Sequence, residues 1–346
     1  MVIDVLKDMM NFTLDVISLI AFGYDLNSIE KNSPTVEHLL SVLPFVYKRM
    51  TSIAPYWKLY HTSCDKKFFQ SFPQLKLLVK EIIDKHQNEQ TDDSAKKNFI
   101  EVILAARQAG EDHLNDDEIV GNVLTLLLAG QDTTANTLSW CMYYLSRNHK
   151  IQNSVFEEVM NSALDASKSK ENWYLPDKNQ VDTLNFTQNV VKEVLRIRGP
   201  SPIMFLSPTS SPQEVESGQR KATVKVNDSV ILLNRKIATN HFGMAFDPHR
   251  WETSDEQEQE LLKTISNVPF GGGPRICPGK HLSLFESTLF LSMLANNFVV
   301  RAAQSTTREV DESLASTEAK EIKEAVEFTM APVGLRLRIF LRNEAE

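Results

Sequence analysis

The stretch Phe270-Gly-Gly-Gly-Pro-Arg-Ile-Cys277-Pro-Gly279 constrains this chain more than any other. It holds a cysteine in a glycine- and proline-rich loop immediately before an apolar-periodic segment at 280–298. A cysteine so placed has what a thiolate ligand needs: a fixed backbone, amide donors and a helix N-terminus close by. A helix N-terminus and a nearby guanidinium, here Arg275, both favour ionised sulfur. Phe270, Gly273, Arg275, Cys277 and Gly279 stand at the spacing F-x-x-G-x-R-x-C-x-G.

Three plainer readings compete with a ligand. A helix-capping turn would make Cys277 a small buried hydrophobe, the usual fate of an isolated cysteine. A phosphate-cradling loop fails on spacing: the glycine before Gly279-Lys280 comes one position too early, at Gly273, and His281 stands where Ser or Thr is needed. A zinc site fails because Cys64, Cys141 and Cys277 lie far apart and form no C-x-x-C pair.

The second constraint is a long helix expected over about 115–147. Asn115-Asp-Asp-Glu118 caps and charges its start, and basic residues suit its end. Its middle reads Ala129-Gly130-Gln131-Asp132-Thr133-Thr134, polar residues and a glycine interrupting an apolar run. Polar groups at a buried helix centre are costly unless partnered, so they suggest a site. The plainer reading is threonine hydroxyls bonding back to their own helix.

The third is Glu193-Val-Leu-Arg196 on a helix predicted over 184–198. Residues three apart share a helix face, so an ion pair is natural there, although such spacing alone usually marks a solvated surface. Pro200 and Pro202 follow, then Phe246-Asp-Pro248-His-Arg250-Trp251.

Elsewhere, periodicity predicts helices over 1–24, 33–49, 65–86, 99–108 and 150–165. Ser33 and Pro34 start the second of these, and Leu77, Leu78, Ile82 and Ile83 face inward from the third. Residues 87–97 read as a polar surface connection and 304–324 as an acidic surface insertion. Strands at 223–226 and 229–233, joined by Asn227-Asp228, read as a hairpin, and 335–339 as a strand. The expected fold is mainly α, α+β in the broad sense. The net charge of −8 argues against nucleic-acid binding, which needs clustered Lys and Arg. No apolar run reaches the ~18 residues of a membrane span.

The cysteine loop, with Leu282 and Glu286 after it, the string 129–134, and the E-x-x-R helix with its Arg250 loop occur in the order of the cytochrome P450 superfamily, and the chain resembles that family over nearly its whole length. The resemblance implies a cytochrome P450-like helical fold with small β-sheets. Residues 1–346 would form a single incomplete domain: helices over 1–198, a small β region over 199–250, then the haem-thiolate loop, its following helix and C-terminal strands. Phe12 to Ile17 and Ala21-Phe-Gly23 are similar to a segment well inside that fold, so its N-terminal third is expected to be absent from this sequence. The implied activity is haem-thiolate monooxygenation of an apolar small molecule. Cys277 would be the proximal iron ligand, with Phe270, Gly273, Arg275 and Gly279 around it. Ala129 and Gly130 would leave room for dioxygen, and Asp132 and Thr133 would relay protons to it. Glu193, Arg196 and Arg250 would form a buried triad beneath the loop.

Electrons would pass from NAD(P)H through a separate reductase, since no G-x-G-x-x-G segment is present. The location implied is intracellular, at the endoplasmic reticulum if the full-length protein carries an N-terminal anchor. The family's N-terminal Trp/Arg pair for the haem propionates is outside this chain, and 199–219 contain no Arg, Lys or His. Arg275 is then the main identifiable propionate partner, and weakened haem binding is expected. An active monooxygenase and a non-catalytic haem-binding or partner-binding fragment both stand as functions at this point.

Overall fold

The computed structural model describes residues 1–31, 34–88, 98–110, 114–162, 175–206, 213–217, 220–224, 230–233, 243–303, 322–326 and 329–345. Contacts divide the chain into two compact units. One comprises residues 2–139 and 308–336, the other residues 1, 140–307 and 337–346.

The first unit opens with a short strand, β1 (Val2–Asp4), and helix α1 (Val5–Phe22). Asp4 caps α1 by accepting from the Lys7 N–H, and Gly23 ends it at φ 56°, a left-handed conformation that glycine adopts without strain. After α2 (Ser28–Lys31), the single helix predicted to residue 49 is two, α3 (Pro34–Leu40) and α4 (Val42–Thr51). The break at Ser41 has a local cause. Pro44 has no N–H to give the Leu40 carbonyl, and Ser41 Oγ donates to His38 O at 2.6 Å. Ser33, the predicted cap, lies outside the described residues.

Helix α5 (Ser63–Asn88) packs against α3 and α4. Its buried stripe is Leu75, Leu78, Val79 and Ile82, whereas Leu77, predicted to face inward, is 54% exposed. Steps of three and four connect the first set, and Leu77 falls off that line. The polar connection predicted after it lies outside the described residues beyond 88. Helix α6 (Phe99–Gln108) starts with a capping box: Asn98 and Glu101 each accept from the other's backbone N–H at 3.0 Å. The long helix is α7 (Asp116–Arg147), 32 residues, or about 48 Å at 1.5 Å per residue.

The second unit continues with α8 (His149–Ser162), α9 (Lys178–Thr183), α10 (Asn185–Arg198), α11 (Glu256–Asn267), α12 (Lys280–Asn297) and α13 (Arg342–Ala345). Helices α8, α9 and α10 all pack on α12. The sequence pattern predicts neither α9 nor α11, because both are polar and local caps start them: Asp177 accepts from the Gln180 N–H, and Asp255 from those of Gln257 and Glu258.

Between α10 and α11 run β2 (Ile203–Leu206), β3 (Gln213–Ser217), β4 (Arg220–Val224) and β5 (Val230–Leu233). The predicted strands form as β4 and β5 but do not pair with each other. β4 pairs antiparallel with β3, and β5 with β2, so one hairpin is nested inside the other. Two residues separate β3 from β4 in the sequence, against five between β4 and β5, so the pair closer in sequence is the one that forms.

β6 (Phe298–Ala302) pairs antiparallel with β9 (Arg336–Leu341), the strand predicted at 335–339. Gln152 of α8 clamps β6 through both groups of Val300, at 2.8 and 3.1 Å. In the first unit β7 (Glu324–Val326) pairs with β8 (Met330–Pro332). The predicted acidic insertion lies outside the described residues up to 321. The architecture is mainly helical with small sheets, and no described helix is long and apolar enough to cross a membrane.

Candidate functional site

The second unit contains the most completely bonded ion pair among the described residues. Glu193 and Arg196 lie three apart on α10 with fully buried side chains, Arg196 Nε and Nη2 meeting the two carboxylate oxygens at 2.9 and 2.8 Å. Such bidentate pairs are the strong, geometrically specific kind. The remaining capacity is filled by the segment at 243–252. Arg196 donates to Gly243 O at 2.7 Å and Ala245 O at 3.1 Å, and Glu193 accepts from the Asp247 N–H at 3.1 Å and Trp251 Nε1 at 3.0 Å. Arg250 Nε completes the predicted trio more loosely, 3.5 Å from Glu193. Charges can be buried this deeply because every lone pair and donor finds a partner.

The cysteine loop follows α11 and is open to solvent. Gly271 and Gly273 take φ 77° and 65°, positions where any other residue would be strained. The Cys277 N–H donates to Phe270 O at 2.8 Å, closing the loop on itself, and α12 begins at Lys280 with Gly279 as its cap. Pro274, Arg275, Ile276 and Cys277 are all exposed, and Phe270 is half-buried. A side chain at Gly279 would stand 3.8 Å from Cys277 Sγ, so the glycine keeps that flank of the sulfur clear. The other thiols differ: Cys64 is half-buried, and Cys141 is fully buried, with its titration pushed well above the usual range by that burial.

No group of three or more His, Cys, Asp or Glu among the described residues could hold a metal ion. A single exposed thiol in a loop closed on its own backbone offers one position to a metal that brings its remaining donors, as haem iron does within its porphyrin. The donor set fits that group. On α12, Glu286 is buried and burial pushes its carboxyl up to about 8, so it is held as the neutral acid at neutral pH.

In the first unit the middle of α7 lies against α1. A side chain at Gly130 would come within 2.6 Å of Ile17 Cγ1, so the missing side chain admits α1. Thr13 Oγ1 of α1 donates to Gln131 O at 2.8 Å. Thr133 Oγ1 donates to Ala129 O at 2.6 Å, turned back on its own helix in the plainer manner anticipated for threonine. Its proton is thus engaged while its oxygen can still accept. Asp132 is buried, Thr133 half-buried and Ala129 exposed.

Sequence reasoning missed Trp251 and Asp247 as partners of Glu193, and the Gly243 and Ala245 carbonyls as partners of Arg196. Trp251 carries a signal, as the aromatic ending the string that contains Arg250. Backbone carbonyls carry none, since every residue has one.

The family model described as Cytochrome P450 matches residues 1–323. A probable cytochrome P450 525A1 of Dictyostelium discoideum is 25% identical over 319 residues, 86% of this chain and 51% of its own length. Cytochrome P450 monooxygenase 205 of Postia placenta is 25% identical over 337 residues, covering 86% and 60%. A bifunctional cytochrome P450/NADPH–P450 reductase, ALT2 of Alternaria alternata, is 23% identical, covering 97% of this chain and 29% of its own. The chain thus spans a little over half the length of the first two relatives. A crystal structure of a cytochrome P450, CYP102L1, shares the fold at TM-score 0.78, over 99% of this chain and 72% of that one, with 21% identity.

Proposed function

Because this chain belongs to the cytochrome P450 family, we propose that it serves a haem-thiolate monooxygenase that inserts one oxygen atom of dioxygen into an apolar small molecule. The observation that carries the reading is the exposed Cys277 thiol, presented by a loop whose backbone closes on Phe270 and whose glycines keep it uncluttered. When bound, haem supplies the activation of dioxygen at its iron.

The chain's own residues have separate tasks in this reading. Cys277 holds the iron, Phe270, Gly273 and Gly279 shape the loop, and Arg275 offers a guanidinium to a propionate. Ala129 and Gly130 keep one stretch of α7 small. Thr133 Oγ1, its own proton engaged on Ala129 O, can accept a hydrogen bond, and in a relay it would take a proton originating at Asp132 only as it passes on its own hydroxyl proton. Glu193, Arg196 and Arg250 hold α10 and the segment at 243–252 in place. Electrons come from NAD(P)H through a separate reductase in this reading. The Alternaria relative has a name that joins both activities in one protein.

The test supplies haem-loaded protein with a reductase, NADPH and isotopically labelled dioxygen, and follows apolar candidate substrates by mass spectrometry. One labelled oxygen per product is expected, with Asp132→Asn and Thr133→Ala each slowing product formation roughly 10²-fold while Cys277 still binds iron. Haem binding with no labelled product from any reductase would leave the non-catalytic fragment as the better account.

A further inference from the structure

The second unit holds a cavity of about 190 Å³ between α10, the C-terminal end of α11 and the first turns of α12. Its lining is of two kinds. Leu195, Ile265, Pro269, Phe270 and Leu284 give it an apolar surface, and Lys192 and Lys280 stand beside them as half-buried cations.

The plain account of such lysines is that their stems lie on apolar surface while their ammonium heads reach water. Here the heads are held by the protein. Lys280 Nζ donates to Asn267 Oδ1 at 2.5 Å and lies 5.9 Å from the centre of the Phe270 ring. Lys192 Nζ donates to Asn189 Oδ1 at 3.1 Å and lies 5.9 Å from the centre of the Trp251 ring. An ammonium has three donors, so one amide oxygen leaves each of them with donors to spare.

Neither cation forms an ion pair among the described residues. Glu193, the carboxylate next to Lys192 in sequence, is engaged by Arg196 at both oxygens. Arg196 also lines the cavity, but its guanidinium is taken up by Glu193 and by the Gly243 and Ala245 carbonyls. Burial pushes the titration of Lys192 below the ordinary lysine range, a sign that its charge is desolvated without compensation. Lys280 is the first residue of α12, where the helix dipole favours an anion over a cation.

The missing complement is therefore negative and partly apolar. Inorganic phosphate would satisfy the lysines but leave Leu195, Ile265 and Leu284 unused. A neutral hydrocarbon would cover those three and bury two cations without partners, which is costly. The volume lies below the ~300–1,000 Å³ of pockets that take drug-sized ligands, so the body must be compact. We propose that this cavity binds a small aryl or short-chain alkyl monocarboxylate, its carboxylate between Lys192 and Lys280 and its apolar body against Leu195, Ile265 and Leu284.

The experiment is calorimetric titration of the full chain with 3-phenylpropionate, 3-phenylpropanol and inorganic phosphate, and no readout depends on haem or activity. One-site binding of 3-phenylpropionate is expected, with Kd on the order of 0.1–1 mM. The alcohol, with the same body and no charge, binds at least about tenfold more weakly, and phosphate does not compete. Lys192→Gln and Lys280→Gln each weaken 3-phenylpropionate roughly tenfold. Leu284→Trp narrows the cavity, keeps both charges and weakens it likewise. Unchanged thermal melting certifies each variant, and the two lysine variants suffice if Leu284→Trp does not fold. No saturable binding of 3-phenylpropionate, or equal affinity for the alcohol or for phosphate, overturns the proposal. So does an affinity that both lysine variants leave intact, which would place the ligand elsewhere in the chain.

Discussion

Glu193 and Cys277 belong to the same unit and stand at opposite extremes. Around Glu193 every bonding position is taken: both carboxylate oxygens are shared among Arg196, Asp247, Trp251 and Arg250, and the side chain is sealed from water. Around Cys277 the chain closes its backbone and leaves the sulfur in the open. One region has given up all capacity for chemistry to hold a loop and a helix together. The other has given up burial to keep a reactive atom available. Stability should therefore live in the first and reactivity in the second, and the two should be separable by substitution.

The largest expected effect comes from breaking the sealed pair. Arg196→Met leaves the Glu193 carboxyl buried without its partner, and should lower stability by about 3–5 kcal/mol in urea unfolding. Replacing both partners with apolar residues, as Glu193→Leu with Arg196→Met, should cost less than that single change. A loss under ~1 kcal/mol for Arg196→Met would erase the contrast. Trp251→Phe removes one donor from the same carboxylate and should cost about 1–3 kcal/mol.

How far these regions could be read from sequence depends on what each needed. Glu193 and Arg196 were legible because a helix fixes the relation between residues three apart. The Gly243 and Ala245 carbonyls that finish the network were not, since any residue could have supplied them. Gly130 was singled out as a small residue leaving room for dioxygen; that a side chain there would also meet Ile17, more than a hundred residues earlier, had no signal in the sequence. The strands expected at 223–226 and 229–233 overlap β4 and β5, whereas their pairing with β3 and β2 could not be read from composition. The helices α9 and α11 were missed because capping, not apolar periodicity, defines them.

Gly130 sharpens the comparison further. Alanine there gains up to ~1 kcal/mol of helix propensity but must displace Ile17, and overpacking of this kind costs about 1–3 kcal/mol. A net loss on the order of 1 kcal/mol is expected from thermal melting. A gain in stability would mean that Ile17 gives way and that packing against α1 does not require the glycine.

Glu286 adds a pH dependence of known sign. Its carboxyl keeps its proton in the folded protein up to about 8, against an ordinary value of 4.5. Between those values the folded state holds a proton that the unfolded state has lost, so stability falls as pH rises through this window and levels off above it. Glu286→Gln should flatten that decline in urea midpoints measured from pH 5 to 9. An unchanged slope would show that the carboxyl is not buried as described.

The smallest effect on stability should come from the open region. Cys277→Ser removes no packing and should leave the unfolding free energy within about 0.5 kcal/mol. Arg275→Ala, also exposed, should be equally silent in unfolding yet weaken haem uptake in a titration. Equal haem affinity in that variant would remove Arg275 as a propionate partner.

The central claim is that the exposed sulfur of Cys277 is an iron ligand, and the absorption spectrum of the haem-loaded, reduced, carbon monoxide-bound protein tests it most directly. The account predicts the strongly red-shifted Soret band of thiolate ligation, and its loss in Cys277→Ser with helical content unchanged. An unshifted band in the unsubstituted protein, or a red-shifted band that survives the substitution, would contradict it.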